Sequence, residues 1–132
     1  MANVHSHAFQ RDLRGVGERS ERPDDDFWSW REEMYRLAEA LDPDSLREVA
    51  GRVYAEMAAA GYGAVGEFHY VHHRPDGTPY EEPNAMAFAV AEAASAAGLR
   101  IVLLPAAYTR GGHPRFRDAS VDEYLARVDA LR

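Results

Sequence analysis

Residues 84–105 read NAMAFAVAEAASAAGLRIVLLP, and this stretch decides the fold. Its first part is rich in alanine, and Met86, Val90 and Ala94 recur at the spacing of one helix face. We therefore predict a helix over residues 84–97 that is closed by Gly98. Residues 100–105 follow as a continuous apolar run, which is typical of a strand covered on both faces. A helix that leads into such a strand is the repeating unit of parallel α/β proteins.

The same alternation extends upstream. Residues 62–68 read YGAVGEF, a short apolar segment that predicts a second buried strand. Before it, apolar residues at spacings of three and four predict a helix over residues 26–41 and another that begins at Asp42 and Pro43 and stops at Gly61. The residues expected on the buried faces are Phe27, Trp30, Met34, Leu37 and Leu41 in the first helix and Leu46, Val49, Val53 and Met57 in the second.

The two ends of the chain complete this pattern. The residues around His5 suit a first strand, and residues 8–26 are polar enough for a loop that runs into a helix cap. After a glycine-containing loop over residues 106–119, Ser120 begins a last helix with Val121, Tyr124, Leu125 and Val128 on one side. Strands that alternate with helices in this order are parallel and joined by right-handed crossovers. We predict one α/β unit over residues 1–132.

Composition excludes several classes of function. The 15 basic residues, all arginine, stand against 22 acidic ones, and a net charge of −7 without a basic cluster argues against a nucleic-acid surface. Because there is no cysteine, a metal would need histidine and carboxylate ligands. No apolar run is long enough to span a membrane and no signal peptide is evident, so we expect a soluble, cytoplasmic protein.

His5 and His7 are the first candidates for chemistry. In an extended strand their side chains leave the same face about 7 Å apart, at a rise of roughly 3.3 Å per residue. Two imidazoles so placed can hold one metal ion. A His-x-His pair alone is also compatible with solvated or capping histidines, and the rest of the sequence has to decide between these interpretations.

Several segments of the sequence together favour the interpretation of His5 and His7 as metal ligands. Residues 3–11 (NVHSHAFQR) resemble the end of the first barrel strand in the amidohydrolase superfamily, and more narrowly in formimidoylglutamate deiminases of histidine degradation. Residues 27–35 (FWSWREEMY) are similar to a Trp-x-Trp-Arg segment of that family. Residues 67–73 (EFHYVHH) with 76–80 (DGTPY) resemble its second-strand segment, and residues 103–105 followed by Tyr108 resemble its third. The segments occur in the family's order and span nearly the whole chain.

The resemblance implies part of a (β/α)₈ TIM barrel, about its first three strand-helix units, with the active site at the carboxyl ends of the strands. It implies hydrolysis of N-formimino-L-glutamate to N-formyl-L-glutamate and ammonia with one divalent metal, usually zinc, and a homodimeric parent enzyme. His5 and His7 match two metal ligands, whereas Gln10, Arg31 and Tyr70 match contacts to a small substrate with two carboxylates. A guanidinium, a phenol and an amide suit carboxylates chemically. The alternative for Arg31 is an ion pair on its own helix.

We expect structural roles for the other notable side chains. His69, His72 and His73 are interpreted as solvated or structural rather than as a second metal site, because adjacent strand residues point to opposite faces. Glu67 is compatible with a buried carboxylate, but we expect it to pair with an arginine, and we expect His113 to be exposed in its glycine-rich loop. Trp28 and Trp30 are expected in the core and in the pocket wall.

A complete barrel needs roughly 250 residues, and a catalytic zinc typically needs three protein ligands. We therefore expect residues 1–132 to be the N-terminal part of a catalytic barrel that is inactive alone, with no catalytic acid or base in this segment. Three alternatives stay open: another amidohydrolase that deaminates a nucleobase or guanidino compound, a non-catalytic barrel remnant, and a split enzyme completed by a second chain.

Overall fold

Three parallel strands form the centre of the protein, in a computed structural model that describes residues 1–16 and 26–131. The strands are β1 (Ala2–Ser6), β2 (Ala64–His69) and β3 (Arg100–Pro105), and they lie side by side in chain order. Both pairs, β1 with β2 and β2 with β3, are parallel. The predicted α/β class with a parallel sheet is confirmed.

Helices connect the strands as the sequence predicts, except that the first part of the loop predicted over residues 8–26 is helical. A 3₁₀ helix (Ala8–Leu13) follows β1, α1 (Phe27–Ala40) and α2 (Pro43–Ala59) lead to β2, and α3 (Ala85–Ala96) leads to β3. A short 3₁₀ turn (Pro114–Phe116) and α4 (Val121–Asp129) complete the described chain. Most of the remainder of that predicted loop, residues 17–25, lies outside the described residues.

Local side-chain chemistry fixes where these helices begin and end. Asp26 accepts hydrogen bonds from the first turn of α1, and Asp42 does the same for α2, with the hydroxyl of Ser29 or Ser45 closing each capping box. Pro43 occupies the first turn of α2. After α2, Gly61 adopts a φ of +86°, in the left-handed region that favours glycine.

The core lies between the sheet and helices α2 and α3. Apolar faces of these helices meet each other and the sheet, and burial of this surface drives folding. The fully or nearly fully buried side chains include Leu46, Val49, Tyr54, Val65, Met86 and Val90.

Several side chains are less buried than their sequence pattern suggests. The expectation that β3 is covered on both faces is wrong for the described chain, because Val102 is 60% exposed. Helices α2 and α3 pack on one face of the sheet, and Val4 and Val102 flank a shallow apolar groove on the other. Phe27 and Leu125 are likewise exposed, so the apolar stripes of α1 and α4 are only partly buried.

In the described part of the chain, no helix is long and apolar enough to cross a membrane.

Candidate metal and substrate site

His5 and His7 converge where β1 gives way to the 3₁₀ helix. Their Nε2 atoms are 3.2 Å apart, far closer than the spacing of a regular extended strand suggests. The ring of Phe68, on the neighbouring strand, packs against His5 with the ring centroids 4.3 Å apart. The two imidazoles therefore present adjacent nitrogen atoms at the carboxyl edge of the sheet.

A backbone carbonyl determines which nitrogen of His7 faces its partner. Nδ1 of His7 lies 2.9 Å from the carbonyl oxygen of Phe68, so Nδ1 donates its hydrogen there and the lone pair of a neutral ring resides on Nε2. Burial lowers the pKa of His7, opposed by the Phe68 carbonyl and reinforced by His5. A histidine oriented through its other nitrogen is the usual arrangement of a metal ligand.

The pair fits a divalent metal such as zinc. Two nitrogens bound to one tetrahedral zinc at the usual bond length are about 3.3 Å apart, and the two Nε2 atoms are separated by 3.2 Å. Imidazole nitrogen is also a preferred zinc ligand. Among residues 1–16 and 26–131, no group of three or more His, Asp or Glu side chains is placed to hold a metal. The two histidines are fewer ligands than a catalytic zinc usually has.

A cavity of about 370 Å³ opens beside this pair. It lies between the turn after β1, helix α1 and the loop after β3. His7, Gln10, Arg31 and Tyr70 all line it, so four of the five site residues proposed from sequence meet at one cavity, with His5 adjacent to His7. The remaining wall is mostly aromatic and is formed by Phe27, Trp30, Tyr35, Tyr108 and Phe116 with Met34 and Gly112.

Gln10 and Tyr70 form a single polar unit in this wall. The amide Nε2 of Gln10 donates to the Tyr70 hydroxyl over 2.6 Å. Burial raises the pKa of Tyr70, so its hydroxyl keeps its proton at neutral pH and can still donate it. The remaining amide hydrogen of Gln10 and the phenol hydrogen are the donors available to a ligand.

Arg31 brings a positive charge to the same cavity. Its guanidinium carbon lies 4.6 Å from the ring centroid of Trp28 and 5.3 Å from that of Tyr35, so aromatic faces hold it in place. Within the described residues no carboxylate pairs with it, and Glu33 of the same helix pairs with Arg36 instead. The ion pair considered as an alternative for Arg31 is therefore not formed there, and the charge is available to an anion.

Sequence reasoning missed Tyr35, Tyr108 and Phe116 as cavity residues. Their aromatic rings contact one another or Tyr70, and Phe116 is almost fully buried. Tyr35 and Tyr108 stand in the segments that resemble the family, which was the available signal. Trp30 lines the cavity as expected, whereas Trp28 is 58% exposed and supports Arg31 from outside rather than joining the core.

Of the two interpretations of His69, His72 and His73, solvated or structural, the solvated one is wrong, because all three are buried. Nε2 of His72 lies 3.0 Å from the carbonyl oxygen of Ala106, which ties the end of β2 to the loop after β3. Burial lowers the pKa of all three histidines and keeps their rings neutral. Their role in the described structure is structural, through packing and through contacts such as that of His73 with Asp118.

Two further expectations also need correction. Glu67 does not pair with an arginine: it is buried in β2, and its Oε1 accepts a 2.6 Å hydrogen bond from the backbone N–H of Ala8. Burial raises the pKa of Glu67, and the Ala8 N–H is the main interaction that opposes this rise. His113 is not exposed, because its imidazole contacts Glu39 at 2.9 Å and packs on Phe116.

Arg115 is a structural residue that the sequence did not reveal. It is fully buried, and its guanidinium donates to the carbonyl oxygens of Ala38, Leu41 and His73, the last two at 3.0 Å. It thereby supplies a donor to the Leu41 carbonyl and a second donor to the Ala38 carbonyl where α1 ends, and it joins this helix to the loop after β3. This loop and α1 form two walls of the cavity, so Arg115 links these two walls outside the cavity lining.

The fold and this edge of the sheet define a protein class. Residues 1–132 match the profile described as the amidohydrolase family. The chain belongs to the amidohydrolase family. Its three parallel strands with their helices form part of the family's (β/α)₈ barrel, as the sequence predicts.

Two known proteins are particularly similar. Formimidoylglutamate deiminase of Pseudomonas aeruginosa is 45% identical over 141 residues, an alignment that covers all of this chain and 31% of the relative. The crystal structure of an amidohydrolase from Brucella melitensis aligns with a TM-score of 0.83 at 38% identity, over all of this chain and 33% of that one. The chain thus spans about a third of the length of the relatives it matches.

Proposed function

We propose that this chain contributes to a metal-dependent hydrolase that converts N-formimino-L-glutamate to N-formyl-L-glutamate and ammonia, as one part of its active site. One observation carries the proposal: a His5–His7 pair with converging nitrogens adjoins a cavity lined by Gln10, Arg31 and Tyr70. The similarity to a protein named formimidoylglutamate deiminase supports the same substrate.

His5 and His7 would hold the metal through their Nε2 atoms. A bound divalent metal, which we propose is zinc, supplies Lewis-acid activation of the water that attacks the formimino carbon. The Phe68 carbonyl keeps the His7 ring in the orientation that presents Nε2. In the described chain these two histidines are the ligands, and the other ligands and the catalytic acid and base would come from elsewhere in the complete barrel.

The cavity would bind the glutamate part of the substrate. Arg31 can donate two parallel hydrogen bonds to one carboxylate, which favours arginine over lysine at such a position. Gln10 and Tyr70 add neutral donors beside it, and their mutual hydrogen bond restricts both side chains before the substrate arrives. The aromatic walls shield these contacts from water, which strengthens them.

A deaminase of a neutral nucleobase or guanidino compound is the nearest alternative. Such substrates carry no carboxylate and give no reason for an arginine without an acidic partner in the cavity wall. A barrel remnant that only binds ligands would keep the cavity without hydrolysis, and a split enzyme would obtain the missing ligands from a second chain.

Zinc titration followed by NMR tests the metal part of the proposal. We expect the imidazole signals of His5 and His7 to shift together on addition of Zn²⁺, and the shift to be lost in His5→Ala. The control His113→Gln, at a histidine in the loop after β3 that pairs with Glu39, should keep it. Shifts confined to the buried histidines, or none at all, would reject the assigned ligands.

Ammonia release tests the reaction. With zinc and N-formimino-L-glutamate, we expect the 132-residue chain to release almost no ammonia, and a polypeptide that carries it within a complete barrel to be active. Turnover by the complete barrel on nucleobases but not on N-formimino-L-glutamate would reject the substrate. Full turnover by the 132 residues alone would show that two histidine ligands suffice.

A further inference from the structure

The start of the sheet contains an irregularity next to the candidate metal ligands. Ala2 and Asn3 of β1 are opposite Ala64 and Val65 of β2, but Ser6 is opposite Glu67. Between these pairs β1 advances three residues while β2 advances two, so β1 carries one extra residue just before His7. An extra residue of this kind bends a strand and redirects its side chains.

Gly66 makes room for this extra residue. A Cβ atom at position 66 would lie 3.0 Å from the carbonyl oxygen of Val4 and 3.3 Å from its carbonyl carbon. Both are backbone atoms, so the neighbouring strand would have to move to admit any side chain. The close approach of the two strands therefore requires glycine at this position.

Glu67 anchors the chain immediately after the bend. Its Oε1 accepts the 2.6 Å hydrogen bond from the N–H of Ala8, the residue that follows His7, although the two residues are 59 positions apart. The side chain is only 2% exposed, and the hydroxyls of Ser6 and Tyr54 lie beside its carboxyl group. Burying a carboxyl group costs free energy that an apolar side chain at this position would not cost, so stability alone does not explain why a glutamate occupies position 67.

Phe68 completes the contact with the histidines themselves. Its carbonyl oxygen accepts from Nδ1 of His7, and its ring packs on His5. Three consecutive residues of β2 thus hold β1 from the extra residue to the turn after His7: Gly66 by its missing side chain, Glu67 by its carboxylate and Phe68 by its carbonyl and ring.

We infer that Glu67 is a positioning residue for the His5–His7 pair, acting through the Ala8 amide, and that Gly66 and Phe68 assist it. Glu67 touches neither imidazole nitrogen. It determines where the chain turns after His7, and so whether the two Nε2 atoms meet. The inference deepens the proposed function because it concerns the same pair of ligands.

The test compares Glu67→Leu with Glu67→Gln. Leucine fills the buried volume without an acceptor, whereas glutamine keeps an acceptor oxygen for the Ala8 N–H. Ala8→Pro provides a second route, because it deletes the donor and leaves Glu67 intact, and proline is tolerated at the first position of a helix. Glu56→Gln is the matched control, since Glu56 is an exposed acid that pairs with Arg11.

The first measurement needs no metal. Nitrogen NMR of the imidazoles reports which nitrogen carries the hydrogen, and hydrogen exchange reports the Ala8 amide. We expect Glu67→Leu, or Ala8→Pro if the leucine variant does not fold, to lose the fixed tautomer of His7 while the methyl signals of the core stay unchanged. Glu67→Gln and the control should keep it. A fixed tautomer in the leucine or proline variant overturns the inference.

The second measurement is zinc affinity. Loss of a partner that orients a ligand typically costs 10–100-fold in metal affinity. We expect a loss of about this size for Glu67→Leu and about threefold or less for Glu67→Gln. Equal losses in both folded variants would overturn a role through the acceptor oxygen. If the unsubstituted chain binds no zinc at His5 and His7, the proposed metal function fails, and the metal-free spectra still decide the role of Glu67.

Discussion

The side-chain amide of Gln10 donates a 2.6 Å hydrogen bond to the hydroxyl of Tyr70 and so joins the turn after β1 to the residue after β2. The two residues are 60 positions apart and both line the cavity. Because Tyr70 accepts this bond, its own hydrogen is directed elsewhere and can serve a ligand. This hydrogen bond therefore both connects two segments at the carboxyl edge of the sheet and orients the Tyr70 hydroxyl in the cavity wall.

Removal of the Tyr70 hydroxyl should lower the affinity of the cavity for its ligand. In Tyr70→Phe the ligand loses one hydrogen bond and Gln10 loses its fixed orientation, so we expect the affinity for N-formimino-L-glutamate to fall about 5–10-fold. Calorimetric titration of the protein measures this. Tyr124→Phe is the control, because its hydroxyl donates to the Pro105 carbonyl and does not line the cavity. An equal loss in both variants would argue against a ligand contact.

Replacement of Arg31 by lysine should show whether ligand binding needs only a positive charge or also the paired hydrogen bonds of a guanidinium. Lysine keeps a positive charge but cannot make the parallel pair of hydrogen bonds, so we expect the affinity for a dicarboxylate ligand to fall about tenfold or more. Binding of an uncharged analogue without carboxylates should change little. Arg36→Lys is the matched control on the same helix, since Arg36 is exposed and pairs with Glu33. Equal effects on charged and uncharged ligands would favour the neutral-substrate alternative.

The features that sequence could predict are local ones. Capping by Asp26 and Asp42 and the glycine stops at Gly61 and Gly98 depend on residues a few positions apart, and the structure has each of them. The alternation of helices and strands depends on the periodicity of apolar residues. The parallel sheet follows from this order because crossovers leave few alternatives.

The features that sequence missed depend on contacts between distant segments. Glu67 meets Ala8 across 59 positions, and Arg115 meets Ala38 across 77, so neither partner has a local pattern. Glu67 and Arg115 carry charges, which usually indicate exposure, yet both are buried. For Val102 the error is the opposite one, because a residue predicted to be buried is exposed. An apolar run shows that its side chains favour burial, but it does not show whether another element covers them.

Loss of Arg115 should destabilise the protein strongly. Arg115→Met keeps much of the side-chain volume but removes three buried hydrogen bonds and leaves the carbonyl oxygens of Leu41 and His73 without the arginine donor, so we expect a loss of about 3 kcal/mol or more in the free energy of unfolding. Urea denaturation measures this. Arg117→Met, at an exposed neighbouring position, should change stability by about 0.5 kcal/mol or less. If Arg115→Met unfolds at the same urea concentration as the control, the three hydrogen bonds do not support the fold.

Acid should destabilise the folded chain through its buried histidines. Burial lowers the pKa of His72 to about 3, the nearby charge of Arg127 adds to this, and the Ala106 carbonyl and Asp118 oppose it. The unfolded chain binds a proton near the ordinary value of about 6.5, whereas the folded chain does not until about 3, so this contribution to stability is present above 6.5 and is lost as the pH falls through that window. Burial also lowers the pKa of His69 and His73, with the same sign.

For His72 alone the loss between pH 7.5 and pH 5 amounts to about 2 kcal/mol, from 1.4 kcal/mol for each pKa unit. Urea denaturation at several pH values measures the slope. Burial raises the pKa of Glu67, which acts with the opposite sign, so the informative quantity is the difference between the chain and His72→Gln. Glutamine can still donate to the Ala106 carbonyl but does not titrate, and the variant should lose less stability on acidification. Identical slopes for the two proteins would mean that His72 is protonated in the folded state at pH 5.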